Sequence, residues 1–364
     1  MKLLYITNGI SGAGGLERVL SVKASYFAEK LDYEVHIITL NENNTSQFFP
    51  YSSRIKIHDI SLKKNFLLYI TAYATKIKKA VSEIKPDIIL VCDDGLKGFF
   101  LPIILGKPCP MIYERHVSKI IEIRKNSNWL QRIKTRVKWK LMNFLASNFD
   151  KFVVLTEGNK NEWPLKNLNV IPNPLSFYPN EKADLSAKKI IAVGKQSYQK
   201  GYDLLIQAWK LVVSIYPDWN LEIYGTFDSS QQLEKLCKQL QLESTVYFHR
   251  PVQDIEKHYL ESSIFVLSSR FEGFGMVLIE AMACGVPCVS FNCPYGPGDI
   301  INDGIDGLLV ENGDIQDLAN SIIKLIETPL LRKQMGIQAK ENAKKYMQEN
   351  VCEKWNLLFT SIIN

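Results

Sequence analysis

What this chain lacks narrows its possibilities first. No stretch of its 364 residues approaches the roughly 18 apolar residues that a membrane-spanning helix requires. The opening Met1-Lys2-Leu3-Leu4-Tyr5-Ile6-Thr7 has too short an apolar core for a secretory signal. It gives way at once to Asn8-Gly9 and is read as a first strand. The seven cysteines (92, 109, 237, 284, 288, 293 and 352) contain no CxxC pair and sit in apolar contexts, which points to reduced thiols in a cytoplasm. Cys284, Cys288 and Cys293 are close in sequence but fall on different elements with no histidine nearby, so packing is expected there and a metal is not. There is no Gly-Lys-Ser/Thr loop, and the glycine-rich stretch near the start does not keep GxGxxG spacing. Both facts disfavour a P-loop or a dinucleotide fold. No short-period repeat is visible.

What is present reads as an ordinary globular protein, 46% hydrophobic and 23% charged. Its length exceeds one ordinary core and suits two α/β domains. The net charge of +6 hides a split. Residues 1–180 hold 26 basic and 15 acidic side chains, net +11, while the remainder holds 18 against 23, net −5. The first half is basic enough to seek an anionic partner.

Apolar strand candidates alternate with helical patterns twice. In the first half the strands are Leu3–Thr7, Val35–Leu40, Ile88–Val91, Met111–Tyr113 and Phe152–Leu155, with helices near Leu16–Lys30, Leu67–Glu83 and Trp129–Ser147. Val170-Ile171-Pro172-Asn173-Pro174 cannot continue a helix and is followed by polar residues 180–186, where a linker is expected. The second alternation has strands Ile190–Val193, Leu221–Tyr224, Val246–Phe248, Ile264–Leu267 and Cys288–Phe291. Its helices fall near Tyr202–Ile215, Gln231–Gln241, Asp254–Glu261, Met276–Cys284 and Asp317–Ile326, and the tail from Leu330 to Ile363 is helical apart from a weak point around Tyr346. Alternation of this kind implies two parallel, doubly wound sheets, and ligands of such sheets belong at the strand carboxyl ends, here in a cleft between facing domains. The expected domains are 1–178, with 348–364 returning to it, and 186–347.

The most specific chemistry lies in Phe271-Glu272-Gly273-Phe274-Gly275-Met276-Val277-Leu278-Ile279-Glu280. Seven residues separate the two glutamates. Glu272 falls in a strand-to-helix loop whose amides open a helix, a setting that favours an anion. Carboxylates would repel phosphate, so their expected partners are hydroxyl groups. Phosphate amides beside hydroxyl-binding carboxylates suggest a nucleotide sugar. Lys195 and Lys200 end a strand and begin a helix, where cations oppose the dipole, and a diphosphate would compensate them; solvated surface lysines are the bland alternative. Gly9-Ile10-Ser11-Gly12-Ala13-Gly14-Gly15 also joins a strand to a helix and can bring amides to a phosphate. His116 follows the strand Met111–Tyr113 on the same sheet edge. Asp93-Asp94 end another strand, a weak metal candidate. Between Lys119 and Lys140 stand eight basic residues and one acidic residue, Glu122, with Leu130, Ile133, Val137, Leu141, Phe144 and Leu145 on one helical face. That helix is either core-facing with a solvated basic side, or an in-plane contact with an anionic membrane.

Together these segments resemble glycosyltransferase family 4, the GT-B-fold retaining enzymes. The resemblance runs nearly end to end, through Gly14-Gly15-Leu16-Glu17-Arg18-Val19, His116, Val170–Pro174, Val193–Asp203, Glu272 to Glu280 and Tyr295–Val310. It implies a UDP-sugar donor whose diphosphate Lys195 and Lys200 neutralise. Glu280 would hold the ribose, Glu272 the transferred sugar, and the amides of Phe274, Gly275 and Met276 the sugar or phosphates. Gly14 and Gly15 would close over the phosphates, and His116 would stand near the reacting carbon or acceptor. No metal or other cofactor is implied, consistent with the absence of an Asp-x-Asp pair, and the last helix, Gln348–Asn364, would cross back to the first domain. The family often has arginine where Lys195 stands, and a glycine is common where His249-Arg250-Pro251 lies. Pro294-Tyr295-Gly296-Pro297-Gly298-Asp299-Ile300-Ile301 resembles members that build bacterial surface polysaccharides. The expected partners are therefore a nucleotide sugar, a glycan or lipid-linked acceptor and an anionic inner membrane face, without nucleic acid. A GT-B nucleotide-sugar epimerase and a non-catalytic sugar-nucleotide-binding protein are the rival readings.

Overall fold

The computed structural model describes residues 1–43, 45–62, 66–122 and 128–363. The chain forms two compact units, Met1–Ser176 with Gln348–Asn364, and Phe177–Met347. The first carries a seven-stranded sheet: β1 (Lys2–Thr7), β2 (Glu34–Leu40), β3 (Lys56–Ile60), β4 (Ile88–Cys92), β5 (Met111–Glu114), β6 (Lys151–Val154) and β7 (Leu168–Val170). Their order is β3-β2-β1-β4-β5-β6-β7, and every pairing is parallel. Chain order reverses between β1 and β4, so the loops after those strands, with the one after β5 beside them, hold the switch point where ligands of such sheets bind. β1 and β4 are nearly continuous apolar runs because both of their faces are buried. The Gln348–Ile363 helix packs on the Gly15–Glu29 helix in this unit, where the Phe27 and Phe359 rings lie 5.3 Å apart and Trp355 is buried.

The second unit holds β8 (Lys189–Val193), β9 (Asn220–Tyr224), β10 (Val246–His249), β11 (Ile264–Leu267), β12 (Cys288–Phe291) and β13 (Gly307–Val310), in the order β10-β9-β8-β11-β12-β13 and again all parallel. Its switch point lies between β8 and β11. The core gathers inward residues of the sheet with Trp209, Trp219 and the apolar face of the Ile315–Glu327 helix.

Three strands escaped the sequence reading. β3 is an edge strand with an exposed, polar alternation, β7 is three residues long at the other edge, and β13 begins with glycine. β3 and β7 bury little, so their pattern carries little apolar signal. The tail breaks where expected, with a 3-10 turn at Lys344–Tyr346 between the Pro329–Ala343 and Gln348–Ile363 helices. The polar stretch expected as a linker is packed on the second unit. Lys340 Nζ donates to the carbonyls of Pro179 and Glu181, Arg332 donates to that of Leu185, and Ala183 N–H donates to Cys284 O.

Candidate active site

In the second unit the loops after β8 and β11 meet at the switch point. Gly201 has φ +62°, and a Cβ there would lie 2.1 Å from Ser268 O, so only glycine lets the two loops come this close. Arg270 then ties them together, bidentate to Asp203 at 2.8 and 2.6 Å, with its guanidinium 4.2 Å from the Tyr198 ring centre. This arrangement sets Lys200 Nζ 2.7 Å from Glu272 Oε1, which also accepts from Ser269 Oγ at 2.6 Å. The helix dipole that disfavours Lys200 is thus offset by Glu272, a partner that the sequence reading had assigned to the sugar alone. Lys195 remains exposed, with Asp228 as a charged neighbour.

Glu272 N–H donates to Pro294 O, and Gly296 presses so closely on Phe274 that a Cβ would meet Phe274 O at 2.0 Å. The loop is therefore seated on the 294–298 segment. Gly275 then starts the Met276–Ala283 helix with φ +101° and no side-chain cap. The amides of Phe274 and Gly275 lead into this helix and that of Met276 opens it, at the end that favours an anion. Glu280 follows Met276 by four residues and so shares its helix face. It is 1% exposed in a helix otherwise built of apolar residues, and Tyr259 donates its hydroxyl to Oε2 at 3.3 Å. Neither Tyr259 nor Ser269 carried a sequence signal; both reach these glutamates only through the fold. Near the ends of β9 and β10, Tyr224 and His249 stack at 4.5 Å, His249 pairs with Glu222, and Tyr224 bonds His258 at 3.0 Å.

The first unit treats its glycine loop differently. Gly14 caps the Gly15–Glu29 helix with ordinary backbone angles, φ −83°. Carboxylates of the chain itself crowd the loop. Glu42 Oε1 accepts from the amide and hydroxyl of Ser11, at 3.0 and 2.6 Å. Glu17 lies so near that a Cβ on Gly12 or Gly14 would meet its oxygens at 2.6 or 2.4 Å. Burial raises the Glu17 carboxyl, and Glu42 and Asp94 add to the rise. Asp93 Oδ1 accepts from Gly95 N–H and Asn8 Nδ2, and Arg115 stands 3.6 Å from Asp94, so both aspartates serve the loops around them.

His116, at the end of β5, is the centre of a cluster that the sequence reading saw only in part. Its Nε2 lies 3.3 Å from Glu114 Oε2, and the ammonium of buried Lys23 is bonded to the same oxygen. Cys92, Glu114 and His116 bring ligand-type atoms within 4.8 Å of one another. A cation there would share the carboxylate with Lys23, so the donor set fits an ion pair better than a metal. Lys23 was visible as a lysine among Val19, Leu20, Ala24 and Phe27 on a buried helix face, and Glu114 as the last residue of its strand. The cysteines at 284, 288 and 293 do not form such a group among the described residues, and burial pushes all three thiols up.

The basic segment divides. Lys119 is turned inward, its Nζ on Asn143 Oδ1 at 2.6 Å and Glu162 O at 2.7 Å, with the Trp163 ring centre at 3.5 Å, so it is not part of a surface patch. Arg124 and Lys125 lie outside the described residues. The Trp129–Ala146 helix starts from a capping box between Asn128 and Gln131 and buries only Met142, Leu145 and Ala146. Its remaining apolar stripe faces outward: Trp129 is 68% exposed, Val137 60% and Phe144 67%, with Leu130, Ile133 and Leu141 also exposed.

Comparison with known proteins agrees with this frame. A model of glycosyltransferase family 4 matches residues 13–176, and a model of glycosyl transferases group 1 matches residues 178–342. An uncharacterized glycosyltransferase of Haemophilus influenzae is 32% identical, with 97% of this chain and 98% of that protein covered. The amylovoran biosynthesis glycosyltransferase AmsD of Erwinia amylovora is 29% identical over 98% of each chain. In structure, HepE of Anabaena in complex with UDP and glucose superposes with a TM-score of 0.80 at 18% identity, over 99% of this chain and 100% of HepE. The chain belongs to the family 4 glycosyltransferases and has the GT-B fold. It is a transferase enzyme.

Proposed function

We propose that this enzyme is a retaining glycosyltransferase that moves a hexose or N-acetylhexosamine from a UDP-sugar to a glycan or lipid-linked acceptor in surface polysaccharide biosynthesis. The observation that carries the reading is the pairing of Lys200 with Glu272 beside the uncapped Phe274-Gly275-Met276 helix start. A leaving diphosphate gains charge as the sugar departs, and a cation with preorganised amides stabilises that charge most in the transition state. Lys200 and Lys195 take this role. When Lys200 turns to the diphosphate, Glu272 keeps Ser269 as donor and is freed toward the sugar hydroxyls. Glu280, on the helix, takes the ribose. No metal or other cofactor is assigned. Gly14, Gly15 and His116 take the phosphate-closing and acceptor-side roles that the family resemblance gives them. AmsD, named for polysaccharide biosynthesis, and HepE, bound to UDP and glucose, support the donor and pathway class.

The acceptor reading draws on the Trp129–Ala146 helix. Its apolar stripe is exposed, and Arg132, Lys134, Arg136, Lys138 and Lys140 accompany it with no acidic residue on the helix. Such a helix lies in an anionic membrane surface, where each basic residue contributes about 1 kcal/mol, and a lipid-linked acceptor would be presented there. On this reading the enzyme works in the cytoplasm, peripheral on the inner membrane face.

A panel of nucleotide sugars followed by saturation-transfer NMR tests the donor, and the anomeric coupling of the product tests retention. UDP-sugars should saturate, and Glu280→Ala should weaken UDP binding in calorimetry. Unchanged UDP affinity in that variant would remove the ribose role, and sugar conversion without any acceptor would favour an epimerase. Flotation with anionic vesicles at low salt tests the helix; failure to float would end the membrane reading.

A further inference from the structure

Behind His116 lies a buried charge system that the transfer chemistry leaves unused. Lys23 projects from the Gly15–Glu29 helix onto Glu114 Oε2, and the two side chains are 2% and 1% exposed. The ammonium is boxed in by aromatic faces, with the Trp355 ring centre at 4.1 Å and that of Tyr5 at 5.5 Å. Trp355 belongs to the Gln348–Ile363 helix, so that helix closes the cage. His116 reaches the same Glu114 oxygen with Nε2, while its Nδ1 is buried and has no hydrogen-bond partner among the described residues. A buried polar atom without a partner invites a ligand group to fill it.

We propose that Lys23 and Glu114 are positioning residues that hold the His116 ring with Nε2–H donated to Glu114, leaving Nδ1 as the acceptor for a hydroxyl group of the sugar or the acceptor substrate. The inference rests on the assignment of His116 to the reaction. Its physical basis is charge balance in a dry site. Glu114 needs one cation, and Lys23 supplies it in a cage too tight to release it. The tautomer then follows from reach, because only Nε2 faces a carboxylate oxygen and Nδ1 is left with its lone pair. The other charged groups near His116 are Asp94, whose Oδ1 accepts from the His116 backbone N–H at 3.4 Å, Arg115 beside Asp94, and Glu17.

The test is ¹⁵N-histidine NMR on the full chain across the neutral range, with His116→Gln to identify the signal, alongside steady-state transfer kinetics. The wild type should show the Nε2–H tautomer. Lys23→Met should lose that preference, because Glu114 is then no longer anchored against the ring. It should also lower kcat at pH 7 about tenfold or more with little change in donor KM, and Lys23→Arg should restore both. Glu114→Gln should erase the tautomer preference, and it serves as the second variant if Lys23→Met does not fold. A wild-type Nδ1–H tautomer, or a tautomer preference unchanged in Lys23→Met, would overturn the proposal. If the tautomer is locked as described but His116→Gln turns over at the wild-type rate, the positioning pair stands and the catalytic role of His116 falls.

Discussion

The two units share a strand order and a switch point, yet they furnish the loop after the first strand in opposite ways. After β8, glycines are demanded by backbone against backbone: Gly201 against Ser268 O and, at the end of β9, Gly225 against Gly194 O at 2.0 Å. After β1, Gly12 and Gly14 keep ordinary backbone angles and would meet only the movable carboxylate of Glu17. The charges are opposed too. Lysines stand at the second loop, with a glutamate held against one of them, whereas glutamates crowd the first. One fold thus supplies two amide-rich turns, and the residues just beyond each turn give the two opposite charge.

This contrast can be broken most forcefully at the glycines. Gly201→Ala forces a left-handed side chain, costing roughly 1–3 kcal/mol in strain, and adds a collision with Ser268 O. Gly14→Ala asks only Glu17 to move and should cost less than about 1 kcal/mol. Urea unfolding of both variants decides; equal losses would erase the distinction between backbone-set and side-chain-set glycines.

The next largest effect belongs to Lys200. Lys200→Ala should cut turnover about 10²-fold or more through lost charge stabilisation of the leaving group. Melting measured beside turnover separates this from a structural role: Glu272 keeps Ser269 as a donor when Lys200 is removed, so the variant should stay folded at assay temperature. A parallel fall in both would make Lys200 a structural counter-ion of Glu272.

The smallest effect at neutral pH is the acid response of the first unit. Burial alone would raise the Glu114 carboxyl, but Lys23 and His116 hold it down at about 2. A depressed carboxyl contributes stability that is complete above its ordinary value of about 4.5 and is lost as the pH falls from there toward about 2. Urea midpoints measured down this range should decline in the wild type, and the decline should be shallower in Glu114→Gln. Identical slopes would mean that the Lys23–Glu114 pair does not govern acid stability.

Most of the strand and helix pattern was legible because buried parallel strands read as apolar runs and the helices keep their period. β3 and β7 were not, since an edge strand leaves much of its length to solvent. The candidate site was legible in part. Glu272 and Glu280 announce themselves by spacing, but the partners that engage them, Lys200, Ser269 and Tyr259, stand 72, 3 and 21 residues away. The Trp129–Ala146 helix shows the limit from the other side. Its periodicity left core-facing and outward-facing readings equally open, and only burial showed that the stripe faces out.

The sequence by itself determined the two alternating α/β halves, their opposite charge balance and the residue types at each strand end, because period, composition and turn chemistry are local properties. Tertiary structure alone decided which charges meet. It gave Lys200 to Glu272, turned Lys119 inward, and brought Trp355, Lys23, Glu114 and His116 together from across more than three hundred residues. Pairing across such separations depends on strand order and helix packing, which no local pattern of residues encodes.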